Sequence, residues 1–264
     1  MHNFDYHRPA SVADATKALG AASDGKLLAG GQSLLPTMRQ RLAAPSDVVD
    51  LGGIAELKGI KVEGEGITIG ATTTHAEVAA SADVKKTIPA LAVLAGGIGD
   101  RQVRHRGTIG GSLANNDPAA DYPAAALGLS ATIRTNKREI KADDYFKGLF
   151  DTALEEGEII TAIHFPKPEK AGYVKFNQPA SRFCLVGVFV AKTKGGVRVA
   201  VTGAGPGVFR SKELETALGG NFSADAAKGV KVSADGLNGD LHGSPEYRAA
   251  LIPTLASRAV ASAS

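Results

Sequence analysis

The chain lacks several features that would point to particular classes of function. It has no tryptophan and few aromatic residues overall, and Cys184 is its only cysteine. A single cysteine excludes an internal disulfide, an iron–sulfur cluster and a cysteine-based zinc site within the chain. The six histidines are scattered, and none belongs to an HExxH pair. Any redox metal that serves this protein is therefore expected on another chain.

Strong charge and long apolar runs are also missing. The net charge is +3, too small to indicate nucleic-acid binding. No apolar run approaches the ~18 residues of a membrane span, and the first residues lack the apolar segment of a signal peptide. We therefore expect a cytoplasmic protein. The basic run Arg101 to Arg106 lacks interleaved aromatics, which leaves a solvated face or a protein contact as its interpretation.

The 264 residues contain 32 glycines, enough for many tight turns and close backbone approaches. Local patterns predict alternating helices and strands up to Leu51, with a helix capped by Ser11. A hairpin around Gly64 follows, then helices over 74–80 and 89–95 and further strands. After Lys167-Pro168 we expect a three-stranded antiparallel meander and three helices, the last kinked or split at Pro253. The predicted domains are 1–53, 54–168 and 169–264.

Two short segments combine paired glycines with serine. They are the first glycine segment, Ala29 to Ser33, and the second glycine segment, Thr108 to Ser112. Backbone N–H groups free of side chains can bind anionic oxygens, so two such loops could hold a pyrophosphate between them. Neither segment matches the dinucleotide fingerprint GxGxxG or the P-loop GxxxxGK[ST]. From the residues alone, a phosphate site and purely structural turns both remain open.

The sequence around these segments resembles a known family. LAGGQSLLPTMRQRLAAPSDVVDL and GTIGGSLANNDPAADYPAAALGL are similar to the two FAD-binding signatures of molybdenum hydroxylase flavoproteins, the medium subunits of carbon monoxide dehydrogenase-like and xanthine dehydrogenase-like enzymes. The similarity extends over essentially the whole chain, through FDYHRPASVADATKAL, GEIITAIHFP, KFNQPASRFCLVGVFVA and GSPEYRAAL. It implies an α+β fold of the PCMH (vanillyl-alcohol-oxidase-like) type, in which two subdomains hold FAD and a C-terminal three-stranded sheet with helices follows.

The resemblance also implies the binding residues. The first pyrophosphate loop would comprise Leu28, Ala29, Gly30, Gly31, Gln32, Ser33, Leu34 and Leu35, and the opposite side Thr108, Ile109, Gly110, Gly111 and Ser112. Asp121 would bind the adenosine ribose, and Ile98, Ile160 and Thr161 would line the flavin ring. Gln32 stands where some relatives attach flavin through histidine, so noncovalent FAD is expected. Asn177 stands where xanthine dehydrogenase-like members carry lysine, which leaves the acceptor preference open.

The function implied is that of an electron-transfer subunit. A large partner would carry the molybdenum cofactor and a small partner two [2Fe–2S] clusters, which would feed electrons to this FAD and on to an external acceptor. A dimer of heterotrimers is expected, and no catalytic or metal-binding residue is expected in this chain. His75, His105 and His164 are interpreted as surface or supporting residues. The alternatives are a free-standing flavin oxidase or reductase with its own small substrate, and a scaffold that binds no flavin.

Overall fold

The N-terminal region forms a small parallel sheet in the computed structural model, which describes all 264 residues. The strands pair in the order β1-β3-β2. Their bounds are β1 Asp5–His7, β2 Gly25–Leu28 and β3 Asp47–Asp50, and the connecting helices are α1 Val12–Ala21 and α2 Leu34–Arg39. The Ser11 hydroxyl accepts a hydrogen bond from the Asp14 N–H at 3.1 Å, which confirms the predicted cap of α1.

A five-stranded antiparallel sheet follows, in the order β4-β5-β10-β6-β7. Its strands are β4 Ile60–Glu63, β5 Gly66–Gly70, β6 Thr132–Thr135, β7 Glu139–Lys141 and β10 Ile160–Pro166. The predicted hairpin is confirmed, with Gly64 at a φ of 59° in its turn. Two single-turn 3₁₀ helices, Leu51–Gly53 and Ala55–Leu57, lead into this sheet.

Six helices connect β5 to β6, where the sequence patterns predicted only two. They are α3 His75–Ala80, α4 Ala82–Thr87, α5 Pro89–Gly96, α6 Arg101–Arg106, α7 Ile109–Asn115 and α8 Tyr122–Gly128. The expectation that the second glycine segment is a loop was wrong. Thr108 caps α7, its hydroxyl accepting from the Gly111 N–H, and both glycines belong to the first turn. A short excursion after β7 holds α9 Ala142–Tyr145, β8 Phe146–Gly148 and β9 Asp151–Thr152.

The C-terminal region is an antiparallel sheet covered by helices, as predicted. It contains four strands rather than three: β11 Lys170–Asn177, β12 Cys184–Thr193, β13 Gly196–Thr202 and the two-residue β14 Phe209–Arg210. The helices are α10 Lys212–Gly220, α11 Ala224–Lys228 and α12 Pro245–Ala261. Pro253 does not split α12, because Ile252, Leu255 and Ala256 on the buried face hold both halves in the core.

The largest apolar core crosses from the five-stranded sheet into the C-terminal sheet. Ile163 of β10 and Ile109 of α7 belong to the same cluster as Tyr173 and Phe189 of the C-terminal strands. A second cluster lies between the C-terminal sheet and its helices, and a third holds α1 against β3. Residue 168 thus separates the strands of two different sheets, but the largest apolar cluster contains residues from both sides of it. No helix is long and apolar enough to cross a membrane.

Candidate functional site

A cleft of about 860 Å³ lies where all three sheet regions meet. Its volume is in the range of sites that hold a large organic cofactor. The predicted site residues line it with the exception of Leu28, Leu35, Ile109 and Thr161. The structure therefore brings both glycine segments to one cavity, together with Ile98, Asp121 and Ile160, although these residues lie far apart in the sequence.

The first glycine segment offers the cleft a run of free backbone donors. The N–H groups of residues 29–33 and of Leu34 donate no hydrogen bond within the chain. The side chains of Gln32 and Ser33 also lack a partner there, and Ser33 precedes α2 without capping it. Six consecutive unpaired N–H groups at a concave surface form a site for anionic oxygens. This arrangement suits a pyrophosphate.

The two adjacent glycines of this segment meet different requirements. A Cβ on Gly30 would lie 2.2 Å from the Arg106 carbonyl oxygen, so Gly30 permits close contact with the chain that leads into α7. Gly31 has a φ of 73°, in the left-handed region that favours glycine. A Cβ there would lie 2.8 Å from the Leu35 Cδ1 and 3.3 Å from the Leu28 Cδ1, so both leucines pack directly behind the segment.

The second glycine segment cannot offer its N–H groups in the same way. Those of Ile109 and Gly110 donate to the carbonyls of Thr73 and Ala71, at 3.1 and 2.8 Å. Those of Gly111 and Ser112 bond to the Thr108 side chain and carbonyl. These four N–H groups are therefore not available to anionic oxygens. This side of the cleft contributes a surface without bulky side chains and the unpartnered Ser112 hydroxyl.

Asp121 is buried at the cleft, in a polar cluster with the C-terminal strands. Its carboxylate accepts a hydrogen bond from the Tyr173 hydroxyl at 2.5 Å and pairs with the Lys175 ammonium at 2.9 Å. Burial raises the pKa of the Asp121 carboxyl, while Lys175 and Tyr173 oppose the rise. Lys175 also donates to the Arg182 carbonyl, so the same ammonium ties down the loop that contributes residues 180–183 to the cleft.

The strand that carries Lys175 also carries Asn177, the position at which some relatives were expected to have a lysine. Asn177 ends β11 and is exposed, and it does not line the cleft. Lys175, two residues earlier on the same strand, is only 7% exposed, but its charge is matched by Asp121. The chain therefore places a buried ion pair, rather than an uncompensated lysine, in this region.

Of the three residues expected beside the flavin ring, two line the cleft and one does not. Ile98 and Ile160 line the cleft, whereas the Thr161 hydroxyl donates to the Arg134 carbonyl in β6. The loop that carries Ile98 is fixed by Arg104, whose Nη1 donates to the carbonyls of Ile98 and Gly99 at 3.0 and 2.9 Å. Arg104 is thus a positioning residue that the sequence patterns did not indicate.

His75, interpreted from the sequence as a surface or supporting residue, lies at the cleft. It is buried and lines the cleft, and its Nδ1 has no hydrogen-bond partner. Burial, assisted by the nearby Arg104 charge, lowers the pKa of His75 to about 4, so the imidazole is neutral near pH 7. The capping box of Thr74 and Glu77 is a local sequence signal for the start of α3, the helix that His75 begins. The sequence gives no signal that His75 packs against Gly107, because that contact joins distant segments of the chain.

Glu158 also lines the cleft without having been predicted. Its buried carboxylate receives two hydrogen bonds from Arg138, at 3.0 and 3.1 Å, and further ones from Thr135 and the Glu155 N–H. These bonds, those of Arg138 first, lower the pKa of Glu158 to about 2. An ionised, fully bonded carboxylate of this kind supports the wall of the cleft and is a poor proton donor.

Comparison with known proteins gives the family. The family described as FAD binding domain in molybdopterin dehydrogenase matches residues 2–168 of the chain. The chain belongs to this family. The resemblance drawn from the two glycine signatures is therefore confirmed.

Two relatives align with this chain along nearly its full length. The nicotine 6-hydroxylase medium subunit of Paenarthrobacter nicotinovorans is 36% identical, covering 98% of this chain and 96% of its own length. The carbon monoxide dehydrogenase medium chain of Hydrogenophaga pseudoflava is 35% identical, with 97% and 96% covered.

Solved structures agree with this assignment. A chain of carbon monoxide dehydrogenase from Hydrogenophaga pseudoflava superimposes with a TM-score of 0.87 at 36% identity, covering 98% of this chain and 96% of that one. A chain of quinoline 2-oxidoreductase from Pseudomonas putida 86 gives 0.88 at 28% identity, with the same coverage. The predicted α+β FAD-binding fold is confirmed.

Proposed function

We propose that this chain is the FAD-carrying electron-transfer subunit of a molybdenum-containing hydroxylase or dehydrogenase. The observation that carries the proposal is the run of six free N–H groups, from Ala29 to Leu34, at a cofactor-sized cleft of a family member. Bound flavin would supply the redox chemistry, and the protein binding, orientation and electrostatics.

The residues that line the cleft fit FAD. The free N–H groups and the Ser33 hydroxyl would bind the pyrophosphate, and Ser112 would approach from the opposite wall. Noncovalent binding is supported by Gln32, which cannot form the covalent bond that a histidine at this place forms. Ile98 and Ile160 supply the apolar surface expected beside the ring, and Asp121 is the proposed ribose contact.

The electrons would come from a partner. Cys184, the only cysteine, is buried, so an iron–sulfur cluster would have to be held by another chain. Relatives named as medium chains or medium subunits support partners of other sizes: a small [2Fe–2S] subunit and a large molybdenum subunit. We extend the proposal to a dimer of such heterotrimers that delivers electrons to an external acceptor. The cytoplasmic location stays a prediction.

Purification of the tagged chain together with the products of its neighbouring genes tests the proposal. We expect a yellow preparation with one FAD per chain that is released by denaturation, plus two further polypeptides with iron and molybdenum. A colourless protein from FAD-supplied cells would refute cofactor binding. If the chain purifies alone and a small organic substrate reduces its flavin in a single turnover, it is a free-standing oxidase instead.

A further inference from the structure

A second concave surface lies beside the cofactor cleft, between α3 and α6. It is a shallow groove of about 480 Å³, which we call the α3–α6 groove. Its floor is formed by Ala76, Ala79 and Ala80, and its rim carries Arg101, Arg104 and His105. The groove is open to solvent along its length, so it has the shape of a contact surface rather than of an enclosed ligand pocket.

The charges of the groove all have one sign. None of its lining residues is acidic, and none of the three basic side chains takes part in an ion pair. The nearby carboxylates do not line the groove: Asp100 caps α6 by accepting from the Val103 N–H, and Glu77 accepts from Thr74 in the capping box of α3. Two arginines without an acidic partner, beside a floor of methyl groups, fit an acidic surface that approaches closely, because alanine leaves room for the partner's side chains.

The helix that bears this charge is also a wall of the cofactor cleft. Asp100 and Val103 line the cleft, whereas Arg101 and His105 line the groove. Arg104 connects the two sides, since it faces the groove and bonds the carbonyls of Ile98 and Gly99. A partner in the groove would therefore lie within about one helix diameter, ~10 Å, of the cleft.

We propose that the α3–α6 groove binds an acidic surface segment of the iron–sulfur subunit and so holds that electron donor against the wall of the cofactor cleft. This inference rests on the proposed function. Arg101 and Arg104 lack an acidic partner in this chain, which favours an acidic partner segment, and α6 lies between the groove and the cofactor cleft. Opposite charges at such a contact speed encounter and fix orientation.

Charge reversal at the exposed rim tests the groove. Arg101→Glu is compared with Lys231→Glu, which makes the same charge change at an exposed residue that lines neither the groove nor the cleft. The FAD-loaded variants are titrated with the iron–sulfur polypeptide encoded beside this chain, at low and at raised ionic strength. We expect Arg101→Glu to keep its FAD and to raise the Kd at least about tenfold at low salt. Lys231→Glu should bind like the wild type.

The outcomes separate the two levels of the proposal. Equal Kd values for the wild type and Arg101→Glu, with the same salt dependence, overturn the groove proposal and leave the electron-transfer function standing. If the FAD-loaded wild-type chain does not bind the iron–sulfur polypeptide at all, the proposed function fails and the groove proposal falls with it. A loss of affinity that is equal in both variants reflects net charge alone and also refutes the groove.

Discussion

Replacement of Gly31 by alanine should weaken FAD binding through backbone conformation rather than through a blocked cavity. Gly31 has a φ of 73°, and alanine in this region costs about 1–2 kcal/mol. The new Cβ would meet the Leu35 Cδ1 at 2.8 Å, but this is the end of a flexible side chain that can rotate away. Strain is therefore the main effect of the substitution.

The strain should appear in binding because the segment is held weakly in its present shape. Residues 29–34 donate no backbone hydrogen bond, so the variant can relax to negative φ when no ligand is bound. FAD would then have to restore the strained shape. A cost of about 1–2 kcal/mol raises the Kd for FAD about 5- to 30-fold. Gly31→Val, with a branched side chain, should yield a folded but largely colourless protein.

The hairpin glycine Gly64 provides a matched control. It also has a positive φ, 59°, and nothing lies within 4 Å of its Cβ position. Gly64→Ala should reduce stability by a similar 1–2 kcal/mol and leave FAD affinity unchanged. The assay is titration of apoprotein with FAD, followed by flavin fluorescence. The reasoning is refuted if Gly31→Ala binds FAD like the wild type, or if Gly64→Ala loses as much affinity.

Two further predictions concern buried ionisable groups at the cleft. Asp121→Asn should destabilise the fold by about 3–5 kcal/mol in urea titrations, since it leaves Lys175 buried and unpaired. The double variant Asp121→Asn with Lys175→Met should recover most of that loss of stability. If this double variant binds FAD with the wild-type Kd, Asp121 does not bind the ribose. Burial holds the pKa of His75 at about 4, below its usual 6.5, so folding loses up to about 3 kcal/mol as the pH falls from 6.5 to 4. His75→Gln should flatten this part of the pH–stability curve, and an unchanged slope would contradict the burial argument.

The fold was predictable where short-range signals act alone. The Ser11 cap, the hairpin at Gly64 and the hairpin pairing of β12 with β13 depend on neighbours a few residues away, and the structure has all three. Helices α7 and α8 were missed because their glycine- and alanine-rich sequences show little amphipathic periodicity. In α7, Gly110 lies against the backbone of Ala71, a contact that no local pattern reveals.

The segments that form the site were predictable, but not which of them offers free N–H groups. Both glycine segments could be identified, and both do reach the cleft. In the second segment, the N–H groups of Ile109 and Gly110 bond to the carbonyls of Thr73 and Ala71, which fold against α7 from elsewhere in the chain. Those of Gly111 and Ser112 bond to Thr108 within the first turn of the helix. The position of His75 against Gly107 likewise depends on contacts between distant segments. Arg104 bonds carbonyls only five and six residues earlier, but no sequence pattern indicated this role.

The core that crosses residue 168 has a consequence for how this family can be divided into modules. The family match ends at residue 168, yet Tyr173 and Phe189, beyond that point, belong to the same apolar cluster as Ile109 and Ile163 before it. A chain cut there would leave an apolar face in water and Asp121 without its ammonium partner. We therefore expect that the segment matched by the family, residues 2–168, does not fold stably without the C-terminal region. Chimeras of two relatives joined at this boundary should fold only if the residues that pack across it are compatible. Exchange of the whole chain avoids this requirement.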